Sequence, residues 1–380
     1  MKYSQLYLSI GSVRLLILLM ASHVLGTIVA YTVYIKLSSL GDGYAPEDFG
    51  GFTGNLQIDL QSTRVVHSIY HYLDIFLPGF LTPMALGLVV AILTWHAFRD
   101  VYTQINLKLF WVCNLFPLFL IWSGSSSKEQ IVIIFGIIII NFAAKRSFAA
   151  SRLNIISLAF VFLSLGFIFL VRPNYFVIYF TIFLTSLFAP TLYKIKINRL
   201  SIGIWAFTFI LTTMVAIIFV SVNTTIFSKD IYLWMDVVQM SFLHYEAGSN
   251  RYNIQWENLS DFFYNSLWGI PQGFIGPTLI EAISKPLQFP IFLEGVVYLS
   301  ILCYLFVRIF KLAGSSNMLR VHILPYYFVA LVIVFVSYPY LIFNAGSALR
   351  YKQAMHPILI FYPLLILAYA RANNLIRKKL

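Results

Sequence analysis

The sequence predicts an all-α polytopic membrane protein with about ten transmembrane helices and both termini in the cytoplasm. The 380 residues are 60% hydrophobic and 11% charged, and their mean hydropathy is +0.82, values far outside the range of soluble domains. Apolar runs recur along the whole chain at lengths near the ~20 residues that cross a bilayer. Lys and Arg residues concentrate in alternate loops, as expected of a multi-pass protein.

The predicted spans are apolar runs separated by polar or basic turns. They cover residues 14–35, 78–98, 109–123, 130–144, 153–171, 174–192, 202–222, 290–311, 322–343 and 355–372. The third and fourth runs are short, and the polar turn 123–127 separates them. These two runs are therefore predicted either as short spans or as a re-entrant pair that does not cross the membrane fully.

The charge distribution orients these spans. With the N-terminus inside, most of the 26 Lys and Arg residues fall on the cytoplasmic side, and of the 14 acidic residues only Asp100 does. The formal net charge of +12 is thus explained by membrane topology and attraction to anionic headgroups. No nucleic-acid partner is expected.

The chain is predicted to be a single integral-membrane domain, 1–380, with two long outward loops at 36–77 and 223–289. Within the second loop, segment 259–284 is amphipathic and is interrupted by the sequence GIPQGFIGP. This pattern favours a pair of helices lying at the membrane interface. Tyr264 and Trp268 are aromatic residues that suit this depth.

Motifs of cofactor-dependent chemistry are absent from the sequence. It contains no phosphate-loop, dinucleotide-binding or zincin pattern, and both cysteines lie in apolar runs. His67, His71 and Asp74 share a helix face, but two His residues without a third firm ligand favour a polar helix surface over a metal site. We therefore expect neither a cofactor nor a metal, and the outward acidic residues place any chemistry on the outer side.

Outward basic residues are the candidates for binding an anionic substrate, because the planar guanidinium of Arg suits a diphosphate. The candidates are Arg64, Arg172, Arg251, Arg350, Lys352 and Lys128, the last with Glu129 beside it. Structural alternatives stay open: Arg350 and Lys352 as an interfacial pair reaching headgroups, Arg172 as a helix cap before Pro173, and Lys128–Glu129 as a structural pair.

Three outward residues are candidates for the catalytic base. Asp42 lies in a Gly-Asp-Gly turn, where an Asp side chain commonly bonds its own backbone. His244 and Glu246 precede Arg251 in the segment HYEAGSNRY, which is typical of an acid–base site and also of a solvated loop. The sequence leaves open which of the three takes the proton.

Four segments carry a resemblance to a known family. They are GDGY at 41–44, PLFLIWSGSSSKEQ at 117–130, NSLWGIPQGFIGP at 265–277 and NAGSALRYKQAMHP at 344–357. With its many spans and dominant outer loop, the chain resembles the O-antigen polymerase (Wzy) family and its exopolysaccharide relatives, a group of multi-span bacterial glycosyltransferases. Some members carry an Arg followed ten residues later by Gly, and neither Arg172 nor Arg251 has that Gly.

The resemblance implies a function and a location. The protein would join undecaprenyl-diphosphate-linked repeat units into O-antigen or a related surface polysaccharide, as donor and acceptor, at the periplasmic face of the bacterial inner membrane. A chain-length regulator and membrane lipid would be further partners. The positions carried over as ligand contacts are Arg350, Lys352, Arg172, Lys128 and Glu129.

Two other functions are weighed against polymerisation. One is a lipid-phosphosugar-dependent glycosyltransferase that adds a single sugar on the periplasmic face. The other, from a different class, is a lipid-linked oligosaccharide flippase or transporter. Transporters of this kind often show internal repeats and charged residues in mid-span, and the sequence indicates neither.

Overall fold

A computed structural model describes residues 10–34, 62–149, 154–192, 239–240, 250–251, 254–313, 338 and 341–373. Over these ranges the chain is helical and contains no strand, which confirms the all-α class for that part of the protein. The one bridge between extended residues in these ranges is the isolated antiparallel pair of Asn250 and Asn344. The predicted span 202–222 and most of 322–343 lie outside the described residues.

Two compact units divide the chain. One comprises Met1–Arg172 and His356–Leu380, and the other comprises Pro173–Met355. We call them unit 1 and unit 2.

Unit 1 contains eight described α-helices, with a π-turn at Ala30–Tyr34 and a 3₁₀ turn at Arg99–Gln104. They are α1 (Ile10–Val29), α2 (Ser62–Asp74), α3 (Leu81–Phe98), α4 (Leu107–Asn114), α5 (Pro117–Ser123), α6 (Lys128–Phe148), α7 (Ile155–Val171) and, after a π-turn at Pro357–Phe361, α13 (Tyr362–Ala372). Local capping explains several starts: Ser127 and Asn154 accept backbone N–H groups at the starts of α6 and α7, and Pro117 begins α5.

Unit 2 contains five described α-helices, of which α9 and α10 form a pair. They are α8 (Pro173–Leu192), α9 (Leu259–Ile275), α10 (Leu279–Ser284), α11 (Phe289–Ala313) and α12 (Ala345–Ala354). Reciprocal capping boxes start the pair, Asn258 with Asp261 at α9 and Thr278 with Glu281 at α10. α9 ends at Gly276, which has a φ of 96°. A positive φ is strained for a residue with a Cβ, so Gly favours this helix end.

Four described helices are long and apolar enough to cross a membrane. They are Ser12–Tyr34, Leu81–Gln104, Lys128–Phe148 and Pro286–Leu312, and a fifth results if Ala345–Ala354 and Pro357–Ala372 are counted as one broken span. The predicted runs 153–171 and 174–192 correspond to the apolar helices α7 and α8. The described residues therefore support a multi-span protein, and the count of about ten stays a prediction.

The two short predicted spans differ in the structure. The run 130–144 belongs to the 21-residue helix α6, which is long enough to cross by itself. The run 109–123 is not one helix, because Pro117 cannot continue the hydrogen bonding of α4 and divides it from α5. Whether the run 109–123 crosses the membrane or re-enters it stays a prediction.

The predicted helix pair in segment 259–284 is present, with one correction, and its place at the membrane interface stays a prediction. The break falls at Gly276–Thr278, and α9 continues through GIPQGF, including Pro271. Apolar side chains project from both helices: Leu267 is 78% exposed and Ile280 is 80% exposed. An apolar surface of this kind suits contact with lipid.

Candidate functional site

Several charged residues of unit 1 lie at the two ends of α6, which is about 30 Å long. At its C-terminal end Lys145 Nζ lies 2.9 Å from Asp100 Oδ2, and Arg371 donates to the carbonyl oxygen of Gln104 at 3.0 Å. The sequence assigns all of these residues to the cytoplasmic side. At the other end of α6 lie Lys128 and Glu129, which the sequence assigns to the outer side.

The part of unit 1 at the N-terminal end of α6 is built around the turn 123–127, which is buried. The Tyr70 hydroxyl donates to Gln130 Oε1 at 2.7 Å and accepts from the Ser127 N–H at 3.1 Å. Gln130 Nε2 donates to the carbonyl oxygens of Pro83 and Ser123, at 3.0 and 2.6 Å. These bonds tie α2, α3 and α5 to the first turn of α6, so the position of Lys128 and Glu129 is set by buried partners.

The turn also packs directly against α1. Ser126 Oγ accepts a hydrogen bond from the Tyr31 hydroxyl at 3.0 Å, and Ser123 Oγ lies 2.9 Å from His23 Nδ1. A Cβ on Gly124 would lie 2.9 Å from the backbone N of Thr27 and closer still to its Oγ1. The segment WSGSSS therefore needs a residue without a side chain at Gly124.

A buried ion pair joins α6 to the end of α7. Arg172 Nη2 donates to Glu129 Oε1 at 2.5 Å, and their side chains are 14% and 0% exposed. Arg172 is also the C-cap residue of α7, as the structural alternative proposed, and Pro173 begins α8. Lys128, at the first position of α6, is 6% exposed. Two cations and one carboxylate therefore lie near the N-terminus of α6. A helix N-terminus by itself also favours anions.

Arg251 lies at a junction inside unit 2. Its Nε and Nη2 donate to the two carboxylate oxygens of Glu281 at 2.8 and 2.9 Å. Nη2 also donates to the carbonyl oxygen of Gly276 at 2.6 Å, and Nη1 donates to that of Ile342 at 3.1 Å. The side chain is 4% exposed. Because these bonds engage nearly every donor of the guanidinium, they favour a structural role for Arg251.

The pKa of Glu281 responds to this junction. Burial by itself raises the pKa of the Glu281 carboxyl, but hydrogen bonds from Arg251 and Thr278 and the charge of Arg251 outweigh burial. The pKa of Glu281 consequently lies below its usual value. The carboxylate is therefore charged across the physiological pH range.

Lys352 is fully buried and also contacts the C-terminal end of α9. Its Nζ donates to the carbonyl oxygen of Phe274 at 3.1 Å and lies 5.3 Å from the centre of the Tyr298 ring. Glu294 of α11 interacts with it electrostatically. A cation beside the last carbonyl groups of a helix is stabilising, so Lys352 and Arg251 together satisfy the end of α9.

Arg350 differs from its predicted partner Lys352. It is partly exposed, its guanidinium lies 5.0 Å from the centre of the Tyr351 ring, and its Nη2 donates to the Tyr351 hydroxyl at 3.3 Å. The structure therefore separates two residues of α12 that the sequence analysis treated as one pair: Lys352 contacts the end of α9, and Arg350 is partly exposed.

The predicted site residues thus fall into three groups. Glu129 and Arg172 are in contact in unit 1, while Arg251 and Lys352 both contact the end of α9 in unit 2. Arg64 belongs to α2, and its side chain is outside the description. Asp42, His244 and Glu246 lie outside the described residues, so the catalytic base stays a prediction. No group of three His, Cys, Asp or Glu side chains suited to a metal occurs in the ranges searched.

Sequence reasoning missed three residues at these centres. Glu281 is the partner of Arg251, and the capping-box pattern Thr278–Glu281 was the available signal for its position. Glu294 interacts with Lys352, and its position as an acidic residue within an apolar run was the signal that could have identified it. Gln353 stands three residues after Arg350, a spacing that places both on one helix face.

Comparison with known proteins yields no relative: no family model, no curated protein and no solved structure matches the chain. The function is therefore argued from the residues and their geometry.

Proposed function

We propose that this protein is a multi-span glycosyltransferase that polymerises undecaprenyl-diphosphate-linked repeat units at the periplasmic face of the bacterial inner membrane. The observation that carries the proposal is the buried centre of Lys128, Glu129 and Arg172 in unit 1. It lies at the end of α6 opposite the basic residues assigned to the cytoplasm, where a lipid-linked diphosphate would be met.

The centre suits a diphosphate for electrostatic reasons. The centre has two positive side chains and the partial positive charge of the α6 N-terminus, but only one carboxylate. Because these groups are mostly buried, their charge interactions are stronger than in water. Glu129 holds Arg172 in one orientation, which lowers the entropy lost when the guanidinium binds a ligand. The Tyr70 and Gln130 bonds hold the helix start in the same way.

In unit 2 the proposal divides the basic residues by role. Arg251 and Lys352 are positioning residues, because their donors are engaged with Glu281 and with the carbonyl groups at the end of α9. Arg350, which is partly exposed on α12, is the proposed ligand contact in unit 2. Of the two basic residues in the NAGSALRYKQ motif, Arg350 is thus the partly exposed one.

Glycosyl transfer from a lipid-linked donor requires two contributions from the protein side chains. When the bond between the donor sugar and its diphosphate breaks, negative charge grows on the diphosphate, and Arg and Lys side chains fixed in a low-dielectric site stabilise it. The acceptor hydroxyl loses its proton to a carboxylate or imidazole, for which Asp42, His244 and Glu246 are the candidates. No nucleotide sugar takes part.

The test is a gel separation of surface and lipid-linked glycans from cells that lack this chain. The cells are complemented with the intact protein, with Arg350→Ala or with Arg308→Ala. Arg308 is a matched control, because its guanidinium lies 5.3 Å from the Tyr304 ring in a similar stacked arrangement but is assigned to the cytoplasmic side. We expect Arg308→Ala to restore the length ladder and Arg350→Ala to leave a single-repeat band.

Other outcomes of the same gel decide against the proposal. A ladder shifted by one sugar in cells without the chain indicates a single-sugar transferase. Loss of all surface glycan, with lipid-linked units trapped inside, indicates a flippase. A normal ladder with Arg350→Ala removes Arg350 from the site.

One observation favours transport as the second candidate function. The sequence analysis found no charged residue in mid-span, whereas the structure places the fully buried Lys352 in electrostatic contact with Glu294, inside the candidate span Pro286–Leu312. Ionisable pairs within membrane helices often line ion or substrate paths. The flippase outcome of the gel is therefore a specific alternative.

A further inference from the structure

The side chain of Gln353 on α12 is a buried carboxamide without a hydrogen-bond partner in the described part of the chain. It is 0% exposed, and among the described residues neither its Oε1 nor its Nε2 has a hydrogen-bond partner. Buried amide groups are almost always paired, because desolvating them without a partner is costly. An unpaired and buried carboxamide beside a proposed ligand contact therefore indicates a group that pairs when ligand binds.

The backbone that carries Gln353 is held on several sides. Tyr175 donates to the carbonyl oxygen of Tyr351 and Tyr179 donates to that of Ala354, both at 3.4 Å. The neighbouring Lys352 is anchored to the carbonyl oxygen of Phe274. The backbone on both sides of Gln353 is thus held before any ligand binds, which favours recognition.

The arrangement on α12 pairs Gln353 with Arg350. The buried residues Ala345, Leu349 and Lys352 define one side of the helix. Arg350 and Gln353, three positions apart, are neighbours on the helix surface, and Gln353 also follows the buried Leu349 by four positions. Passing from Arg350 to Gln353, the helix goes from a partly exposed cation to a buried carboxamide.

The two side chains differ in the groups that they recognise. A guanidinium only donates hydrogen bonds and is suited to phosphate, whereas a carboxamide both donates and accepts. Adjacent hydroxyl groups of a sugar likewise donate and accept. We propose that Gln353 binds hydroxyl groups of the sugar attached to the diphosphate that Arg350 contacts. This inference rests on the proposed function and names a sugar-binding residue of the same site.

The test uses two ligands and purified protein in nanodiscs. One ligand is undecaprenyl diphosphate without sugar, and the other is the lipid-linked unit extracted from cells lacking this chain. Gln353→Met keeps the side-chain length but removes both hydrogen-bonding atoms. We expect about a tenfold loss of affinity for the sugar-bearing ligand, with affinity for undecaprenyl diphosphate within about twofold of the unchanged protein.

The matched control is Gln272→Met, because Gln272 Nε2 already donates to the carbonyl oxygen of Gly276 at 2.9 Å. This change should lower the melting temperature and leave the ratio of the two affinities unchanged. Gln353→Met should not lower the melting temperature, since it removes a polar group that has no partner to lose.

The remaining results contradict either the role of Gln353 alone or the proposed function as well. If Gln353→Met weakens both ligands equally or neither, or lowers the melting temperature as Gln272→Met does, Gln353 is not a sugar-binding residue and the proposed function stands. If the unchanged protein binds neither ligand, the proposed function fails, and the role of Gln353 fails with it.

Discussion

The charged centres of the two units use their cations differently. In unit 1, Arg172 pairs with Glu129, and Lys128 adds a second positive charge at the start of α6. In unit 2, Arg251 and Lys352 donate hydrogen bonds to carbonyl groups at the end of α9. Each also interacts with an acidic residue, Arg251 with Glu281 and Lys352 with Glu294. Burial of a cation alone therefore does not identify a ligand site; its partners do.

This contrast also separates folding from binding. A cation that satisfies backbone carbonyl groups stabilises the fold whether or not a ligand is present. A cation oriented by one carboxylate beside a helix N-terminus is held ready for an anion. The predictions below ask whether the two centres respond to substitution as this division requires.

The largest effect is expected at the unit 1 ion pair. Glu129→Ala leaves Arg172 buried without its carboxylate, which should lower the free energy of unfolding by about 3–5 kcal/mol. The double variant Glu129→Met with Arg172→Met removes both charges and should recover most of that loss. Unfolding in detergent and the glycan ladder are measured together, and we expect both variants to lack the ladder. A double variant with a normal ladder would make the pair purely structural.

A smaller effect is expected at the unit 2 junction. Glu281→Ala leaves Arg251 without its carboxylate but with two carbonyl partners, and we expect a loss of about 1.5–3 kcal/mol. Since the folded-state pKa of Glu281 lies below its usual 4.5, the stabilisation is full above that pH and is lost as the pH falls through the folded-state pKa. Glu281→Gln should flatten the acid limb of the stability curve. An unchanged acid limb would show that the pair contributes nothing.

Much of the fold could be predicted from the sequence where local signals act alone. Apolar runs predicted α6, α7, α8 and α11, and the amphipathic pattern interrupted by GIPQGFIGP predicted the pair α9–α10. The division of the 109–123 run was missed because hydropathy outweighed the effect of Pro117. The break falls at the C-terminal end of the predicted interruption, at Gly276, while Pro271 lies inside α9.

The site was predicted less well, because partners distant in the sequence decide what a charge does. Arg251 and Glu281 are 30 residues apart, and Arg172 and Glu129 are 43 apart. The sequence identified three of these four residues as candidates, but it did not distinguish Arg251, with its saturated donors, from the partly exposed Arg350. That distinction depends on burial and hydrogen bonding across helices.

The close packing behind the unit 1 centre has its own test. Gly124→Ala places a Cβ against the backbone of Thr27, so it should separate α1 from the turn and cost about 1–3 kcal/mol. Gly166→Ala is the control, because a Cβ there meets nothing within 4 Å. It should be neutral or slightly stabilising, as Ala favours helix more than Gly does. Equal melting temperatures for the two variants would contradict the packing argument.

The smallest effect is expected at the hydroxyl group that holds the start of α6. Tyr70→Phe removes the donor to Gln130 Oε1 and the acceptor of the Ser127 N–H, and should lower the free energy of unfolding by about 1 kcal/mol. Tyr264→Phe, at a tyrosine that is 73% exposed, should leave it unchanged. If Tyr70 positions Lys128 and Glu129, its loss should also weaken binding of undecaprenyl diphosphate, whereas Gln272→Met in unit 2 should not. Weakened stability with full affinity would confine Tyr70 to folding and leave the unit 1 centre to be set by the Glu129–Arg172 pair alone.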